Sequence, residues 1–208
     1  TEDGIIAPVK INRVNINYIE DKDFSKNLKE SGIIGTEKYR IEKKYFQNNN
    51  DRNNIIMDCI SKIEGNQVIL VETVEYIHQL MELAKQFYPD KYVNKIHGTV
   101  SQKERDEIKT YVKEHENSLL ICSYETMSTG VNIPNIMAIH FPDGGRSKIR
   151  IKQSVGRGVR LHPKKEFLTV FDYQDQMKGS SFMNHWKERN KLYRTEGHDL
   201  TQELNYEI

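Results

Sequence analysis

IIMDCISKIEGNQVILVETVEYIHQLMELAKQFYPDKYVNKIHG, residues Ile55–Gly98, reads as helix, strand, helix, strand. Ile55, Ile56, Cys59, Ile60 and Ile63 recur at helical spacing behind Asn50-Asp51, residues suited to a helix cap. Gly65-Asn66 breaks that pattern, and Gln67–Val71 is a short apolar run of strand length. Val74, Ile77, Leu80, Met81, Ala84 and Phe87 then form a second helical face, closed by Pro89. Tyr92–Ile96 is the next strand, ending in His97-Gly98. A strand that is apolar throughout has no solvent face, so it belongs inside a parallel sheet covered on both sides.

The same cycle continues outward from this stretch. Ser101 and Glu104 have capping-box spacing and open a helix with Ile108, Tyr111 and Val112 on one face. Leu119–Cys122 and Ile136–Phe141 read as strands, with Ser123–Gly130 between them and the Pro142-Asp143-Gly144-Gly145 loop after the second. A basic helix is expected over Ile149–Gly158 and a last strand over Phe167–Phe171. Upstream, Val14, Ile16 and Tyr18 alternate within Val9–Ile19, as a half-buried strand does. Asp21–Asn54 is polar and charged, with Gly32, Gly35 and the Asn48–Asn50 run, and is expected to contain a mobile loop. Beyond Asp172, Met183, Trp186, Asn190 and Tyr193 mark one side of a C-terminal helix, and the polar tail Glu196–Ile208 is expected to be loose. The fold expected is α/β: a parallel sheet with helices on both faces and a C-terminal helical extension. The expected divisions are 1–54, an N-terminal strand and charged segment entering the domain; 55–175, the domain itself; and 176–208, the C-terminal helix and tail.

Composition narrows the class. Of 208 residues, 37% are hydrophobic and 29% charged, enough for one ordinary core. Apolar runs of only a few residues exclude a membrane-spanning helix. Cys59 and Cys122 match no disulfide or metal spacing, the seven histidines show no ligand pairing, and a reducing, cytoplasmic setting without a metal site is expected. The chain opens on Thr1 rather than Met, which suggests a fragment or isolated domain.

Net charge is +1, yet Arg146–Lys165 carries eight basic residues and no acidic one in twenty positions. Such a run is by default a solvated face. Two details point elsewhere. Gly156 and Gly158 flank Arg157 inside an expected helix, where each glycine costs about 1 kcal/mol against alanine. Arg157 and Arg160 are three apart, so on a helix both guanidinium groups share a face. A glycine-flanked arginine pair suits a polyphosphate, because arginine presents a fixed fork of donors.

Gln153-Ser154-Val155-Gly156-Arg157-Gly158-Val159-Arg160 resembles the Q-x-x-G-R-x-x-R motif, motif VI, of superfamily 2 helicases. Gln67–Thr73 resembles motif IV; His97-Gly98 followed by Arg105 resembles the H-G-x-x-x-x-x-x-R segment. Thr129-Gly130-Val131-Asn132-Ile133-Pro134 resembles motif V. All four stand in family order over roughly residues 55–175. Arg146-Ser147-Lys148 and Phe171-Asp172 further resemble phage UvsW-type helicases, which remodel branched DNA.

The resemblance implies a second RecA-like domain, which closes on a first over ATP. Arg157 and Arg160 would meet the β- and γ-phosphates, one or both as an arginine finger. Gln153 would orient the motif or touch the nucleotide, with Gly156 beside it. Gly130 and Asn132 would lie at the domain cleft. Thr73, His97, Gly98 and Ser123 would contact nucleic-acid phosphates, together with Lys148 and Arg150. Taken alone, His97 reads as a strand-end hydrogen-bonding group. Ser123-Tyr124 stands where many relatives carry Thr-Asp.

The implied partners are DNA, or RNA, and an N-terminal RecA-like domain whose acidic box holds Mg2+; no membrane is implied, and a viral protein would work in the host cytoplasm. A role in recombination, repair or fork remodelling would follow. The rivals are an RNA helicase, a restriction-complex motor half, and a non-catalytic nucleic-acid-binding module. No G-x-x-x-x-G-K-[ST] phosphate loop occurs in these 208 residues, so this chain alone is expected to be inactive on ATP. Asp172-Tyr173-Gln174-Asp175 imitates a magnesium box and reads better as a strand-end loop with capping carboxylates. Cys122 reads as a core residue. Trp186 and Tyr193 read as packing more than base stacking, while Lys187, Arg189, Lys191 and Arg194 leave nucleic-acid contact open.

Overall fold

The computed structural model describes residues 7–21, 23–130, 133–143, 148–160 and 162–208, without the side chains of 128–130 and 148–150. Strands and helices run β1 (Val9–Asn17), α1 (Phe24–Glu30), α2 (Gly35–Asn48), α3 (Asn50–Ser61), β2 (Asn66–Val71), α4 (Val74–Phe87), β3 (Tyr92–Ile96) and α5 (Gln102–Glu114). They continue with β4 (Ser118–Ser123), α6 (Tyr124–Gly130), β5 (Ile136–Phe141), α7 (Lys148–Gly158), β6 (Leu168–Asp175), α8 (Ser181–Thr195) and β7 (Asp199–Glu207). The strands form one sheet in the order β3-β4-β2-β5-β6-β1-β7, every pair parallel. This is a RecA-like architecture.

The apolar strands explain the two-sided cover. Val68 and Leu70 of β2 join one core cluster with Val155 and Val159, while Ile69 and Val71 join the other with Ile56, Ile77 and Leu80. All four β2 side chains are fully buried, each contributing about 1.5–3 kcal/mol of apolar burial. Asn49, Thr73, Ser101 and Ser180 each accept a first-turn backbone N–H; Ser101 caps α5 as expected, whereas α3 is capped by Asn49, with Asn50-Asp51 already inside its first turn.

Three regions depart from the sequence reading. The segment expected to hold a mobile loop contains α1 and α2, with Phe46 buried and Lys38 paired to buried Glu42. The tail expected to be loose is β7, an edge strand parallel to β1. Leu204 and Tyr206, two apart, pack on the core, and Asn15 bonds Asn205 across the pair at 2.9 Å. Asp172-Tyr173-Gln174-Asp175 is not a loop: all of β6 is buried, and both carboxylates are paired inside the protein. Asp172 pairs with Arg189 of α8, so Arg189, 2% exposed, is a core ion pair rather than a nucleic-acid contact. Tyr193 is buried, and burial pushes the Cys122 thiol up to about 12.

Candidate functional site

Parallel strands end on the same side of a sheet, and ligands of such folds bind beyond those carboxyl ends. Thr73 follows β2, His97-Gly98 follows β3, and Ser123 closes β4. Thr73 Oγ1 accepts from Tyr76 N–H at 3.4 Å, which starts α4. Ser123 Oγ accepts from Thr126 N–H at 3.3 Å and lies 2.6 Å from Thr126 Oγ1. Each hydroxyl thus sits at a helix start while keeping capacity for a further hydrogen bond.

The turn after β3 accounts for the spacing between His97 and Arg105. Arg105, on the first turn of α5, donates from Nη2 to the carbonyls of His97 and Gly98 at 2.9 and 2.8 Å. His97 is 5% exposed, its Nδ1 lies 3.0 Å from Thr99 Oγ1, and burial holds it below the usual imidazole range. Nε2 of His97 and Nε of Arg105 are buried with no hydrogen-bond partner among the described residues. Gly98 is exposed, and a Cβ there would meet nothing within 4 Å.

On α7 the two glycines have different reasons. A Cβ on Gly158 would lie 2.7 Å from side-chain atoms of both Ile139 and Leu168, so helix and sheet meet there only because the side chain is absent. A Cβ on Gly156 would meet nothing within 4 Å among the described residues. Gln153 and Arg160 are exposed and Arg157 is half-buried. Helical bonding ends with Val159 N–H to Val155, so Arg160 stands just beyond the helix rather than one turn along its face. Gly130 ends α6. Asn132 lies outside the described residues, as do the side chains of Lys148 and Arg150.

The basic run is not one patch. Lys152 pairs with Glu196 at 2.6 Å and Lys164 with Glu116 at 2.7 Å. Lys165 is buried and donates to the carbonyls of Pro134, Ile136 and Gly158 at 2.7, 3.2 and 2.7 Å, with burial pulling its ammonium down to about 8. It caps the end of α7 against the start of β5.

Sequence reasoning missed the scaffold beneath these loops. Arg52 of α3, fully buried, binds both oxygens of Asp175, the Tyr76 hydroxyl at 3.1 Å and the Pro142 carbonyl. Asp143, also buried, accepts from Gln47 at 2.7 Å and from the backbone N–H of Glu72; burial pushes its carboxyl up. Lys43 pairs with Glu72 at 2.5 Å and lies 4.0 Å from Asp143. The loops after β2 and β5 are therefore tied to each other and to α2 and α3.

The family model described as helicase conserved C-terminal domain matches residues 51–162. The ATP-dependent DNA helicase uvsW of Enterobacteria phage T4 is 27% identical over 177 residues, covering 84% of this chain and 33% of the relative. The chain thus spans about a third of that relative's length. The crystal structure of T4 UvsW covers 98% of this chain and 42% of its own, with TM-score 0.71 and 22% identity. A fragment of an HsdR subunit of a type I restriction enzyme from Vibrio vulnificus YJ016 covers 100% of this chain and 38% of its own, with TM-score 0.68 and 18% identity. The C-terminal domain of the DEAD-box protein Dbp5 covers 96% of this chain and 90% of its own, with TM-score 0.61 and 14% identity.

Proposed function

Because the chain belongs to the family of helicase conserved C-terminal domains, we propose that it is the second RecA-like half of an ATP-dependent superfamily 2 DNA helicase or translocase. The observation that carries this reading is Gly156. Among the described residues no packing demands a glycine there, yet a helix loses about 1 kcal/mol by having one. An open glycine beside an arginine lets a phosphate group come close to the backbone.

In this reading ATP supplies the phosphoanhydride bond, while a first RecA-like domain supplies the phosphate loop and the carboxylates that hold Mg2+. Arg157 and Arg160 present planar forks to the β- and γ-phosphates and stabilise the charge that develops in transfer, worth about 10³–10⁵ in rate for an arginine finger. Gln153 orients the motif, and Gly130 and Asn132 couple the cleft to strand grip. Thr73, His97, Gly98 and Ser123, with Lys148 and Arg150, hold the backbone of one strand through phosphates rather than bases. The likeness to the DNA helicase uvsW favours DNA over RNA; a part in recombination, repair or fork remodelling belongs to the same reading.

The test joins this chain to a first RecA-like domain and measures turnover. Arg157→Lys and Arg160→Lys keep the charge and lose the fork, so each should cut kcat at least about 10²-fold. Near wild-type turnover in both variants defeats the catalytic assignment. The 208-residue chain alone should show no nucleic-acid-stimulated ATPase, and its grip on DNA should weaken steeply with salt and vary little with sequence.

A further inference from the structure

The ladder between β2 and β5 stops short of the carboxyl ends of these strands. Its last partners are Ile69 and His140, whereas on the β4 side β2 stays paired as far as Val71 with Ser123. Beyond Ile69, the end of β2 is held toward β5 by a side chain instead. Asp143, its side chain fully buried, accepts from the backbone N–H of Glu72, the residue just before Thr73. Thr73 caps α4 through a long bond of 3.4 Å, so its hydroxyl keeps capacity for a partner while the peptide in front of it is fixed by Asp143.

Asp143 is in turn set from α2, a helix outside residues 51–162 that the family model matches. Gln47 donates to Asp143 Oδ1 at 2.7 Å, and its own carbonyl accepts from Asn53 of α3 and Gln79 of α4 at 2.9 and 3.1 Å. Lys43 is one turn earlier on the same face of α2. Its Nζ lies 2.5 Å from Glu72 Oε2 and 4.0 Å from Asp143 Oδ2, so one ammonium faces both carboxylates. Glu72 is the more exposed of the two, and without Lys43 its charge would stand next to any phosphate held at Thr73. For stability alone an apolar side chain can serve as well as a buried charge. What the carboxylate adds is direction, because it accepts from a backbone N–H and a side-chain amide at fixed angles.

We propose that Lys43 and Gln47 of α2 are positioning residues for the nucleic-acid grip: acting through Asp143 and Glu72, they hold Thr73 where its hydroxyl meets a strand phosphate. This rests on the nucleic-acid reading given above and extends it to a helix outside the matched family segment. Neither side chain touches the strand. Gln47 fixes the carboxylate that holds the loop, and Lys43 neutralises the carboxylates beside it.

The experiment uses the 208-residue chain, fluorescent oligothymidylate and anisotropy at several salt concentrations. Gln47→Leu and Lys43→Met should each weaken binding about tenfold at low salt. Gln47→Leu removes no charge, so its salt slope should stay that of the unaltered chain. Lys43→Arg keeps the charge and should stay within about twofold, as should Arg40→Met, an equal loss of charge from the exposed Arg40–Glu37 pair of α2. In a Thr73→Val background, adding Gln47→Leu should cost less than about twofold, because the hydroxyl it positions is gone. In the unaltered chain, the side-chain amide resonances of Gln47 should move together with the Thr73 amide on adding oligothymidylate, a readout independent of any variant. If Thr73→Val weakens binding while Gln47→Leu and Lys43→Met do not, the positioning role is wrong and the nucleic-acid reading stands. Full additivity of Gln47→Leu with Thr73→Val, wild-type affinity in Thr73→Val, or a Gln47 amide that stays in place while Thr73 moves overturns the role in the same way. If the unaltered chain does not bind at low salt, both fall.

Discussion

Arg52 and Asp175, 123 residues apart in the chain, meet in a buried two-bond ion pair, Nε to Oδ1 at 2.7 Å and Nη2 to Oδ2 at 3.0 Å. Tyr18 adds a third bond to Asp175 at 2.6 Å, and Arg52 extends to the carbonyl of Pro142. The pair therefore fastens α3 to β6 and to the loop that leads toward α7. Two such charges in low dielectric are stable together and costly apart.

Arg52→Met should destabilise the chain by about 3–5 kcal/mol, because Asp175 is left buried and uncompensated. The double variant Arg52→Met with Asp175→Leu should lose less than the sum of the single changes. Urea unfolding of the three variants measures this, and strict additivity would mean that the two side chains do not couple.

The adjacent lysines Lys164 and Lys165 should behave oppositely. Lys164 is exposed in a surface pair with Glu116, so Lys164→Ala should change stability by less than about 0.5 kcal/mol. Lys165→Ala removes donors from three carbonyls and should cost about 2 kcal/mol or more. Thermal unfolding separates them; equal effects would show that the three-carbonyl cap contributes nothing.

Acid sensitivity should come partly from His140. It is fully buried between Tyr173 and Gln67, at 2.9 Å from each, and burial lowers it from 6.5 to about 3. With the folded value depressed, the unfolded chain binds the extra proton. The stability present above pH 6.5 is therefore lost as pH falls toward about 3, by up to about 1.4 kcal/mol per pH unit for this one group. His140→Gln should flatten that part of the stability profile in denaturant titrations at successive pH values. An unchanged slope would place the acid sensitivity elsewhere.

Gly156→Ala and Gly158→Ala should separate ligand approach from packing. Gly158→Ala drives a methyl into Ile139 and Leu168 and should cost about 1–3 kcal/mol. Gly156→Ala meets no neighbour and should leave stability equal or raise it by up to about 1 kcal/mol, while lowering kcat when the chain is joined to a first RecA-like domain. Full turnover in Gly156→Ala would remove the reason given for that glycine.

By itself the sequence determined the parallel sheet and its helical cover. The apolar run Val68–Val71, the helical face from Ile77 to Ala84 and the cap at Ser101 are local patterns, with periods set by backbone geometry. The motif order from Thr73 to Arg160 was legible for the same reason, since it is a matter of residue types and spacing. Tertiary structure alone decided which charges are spent inside the protein. Asp172, Asp175, Arg189 and Lys165 look solvated in sequence, because a charged residue carries no mark of a partner 7 to 123 residues away. Strand β7 escaped because this edge strand only half-buries alternate side chains, Leu204 and Tyr206, and its pairing with β1 depends on a sheet assembled from the rest of the chain.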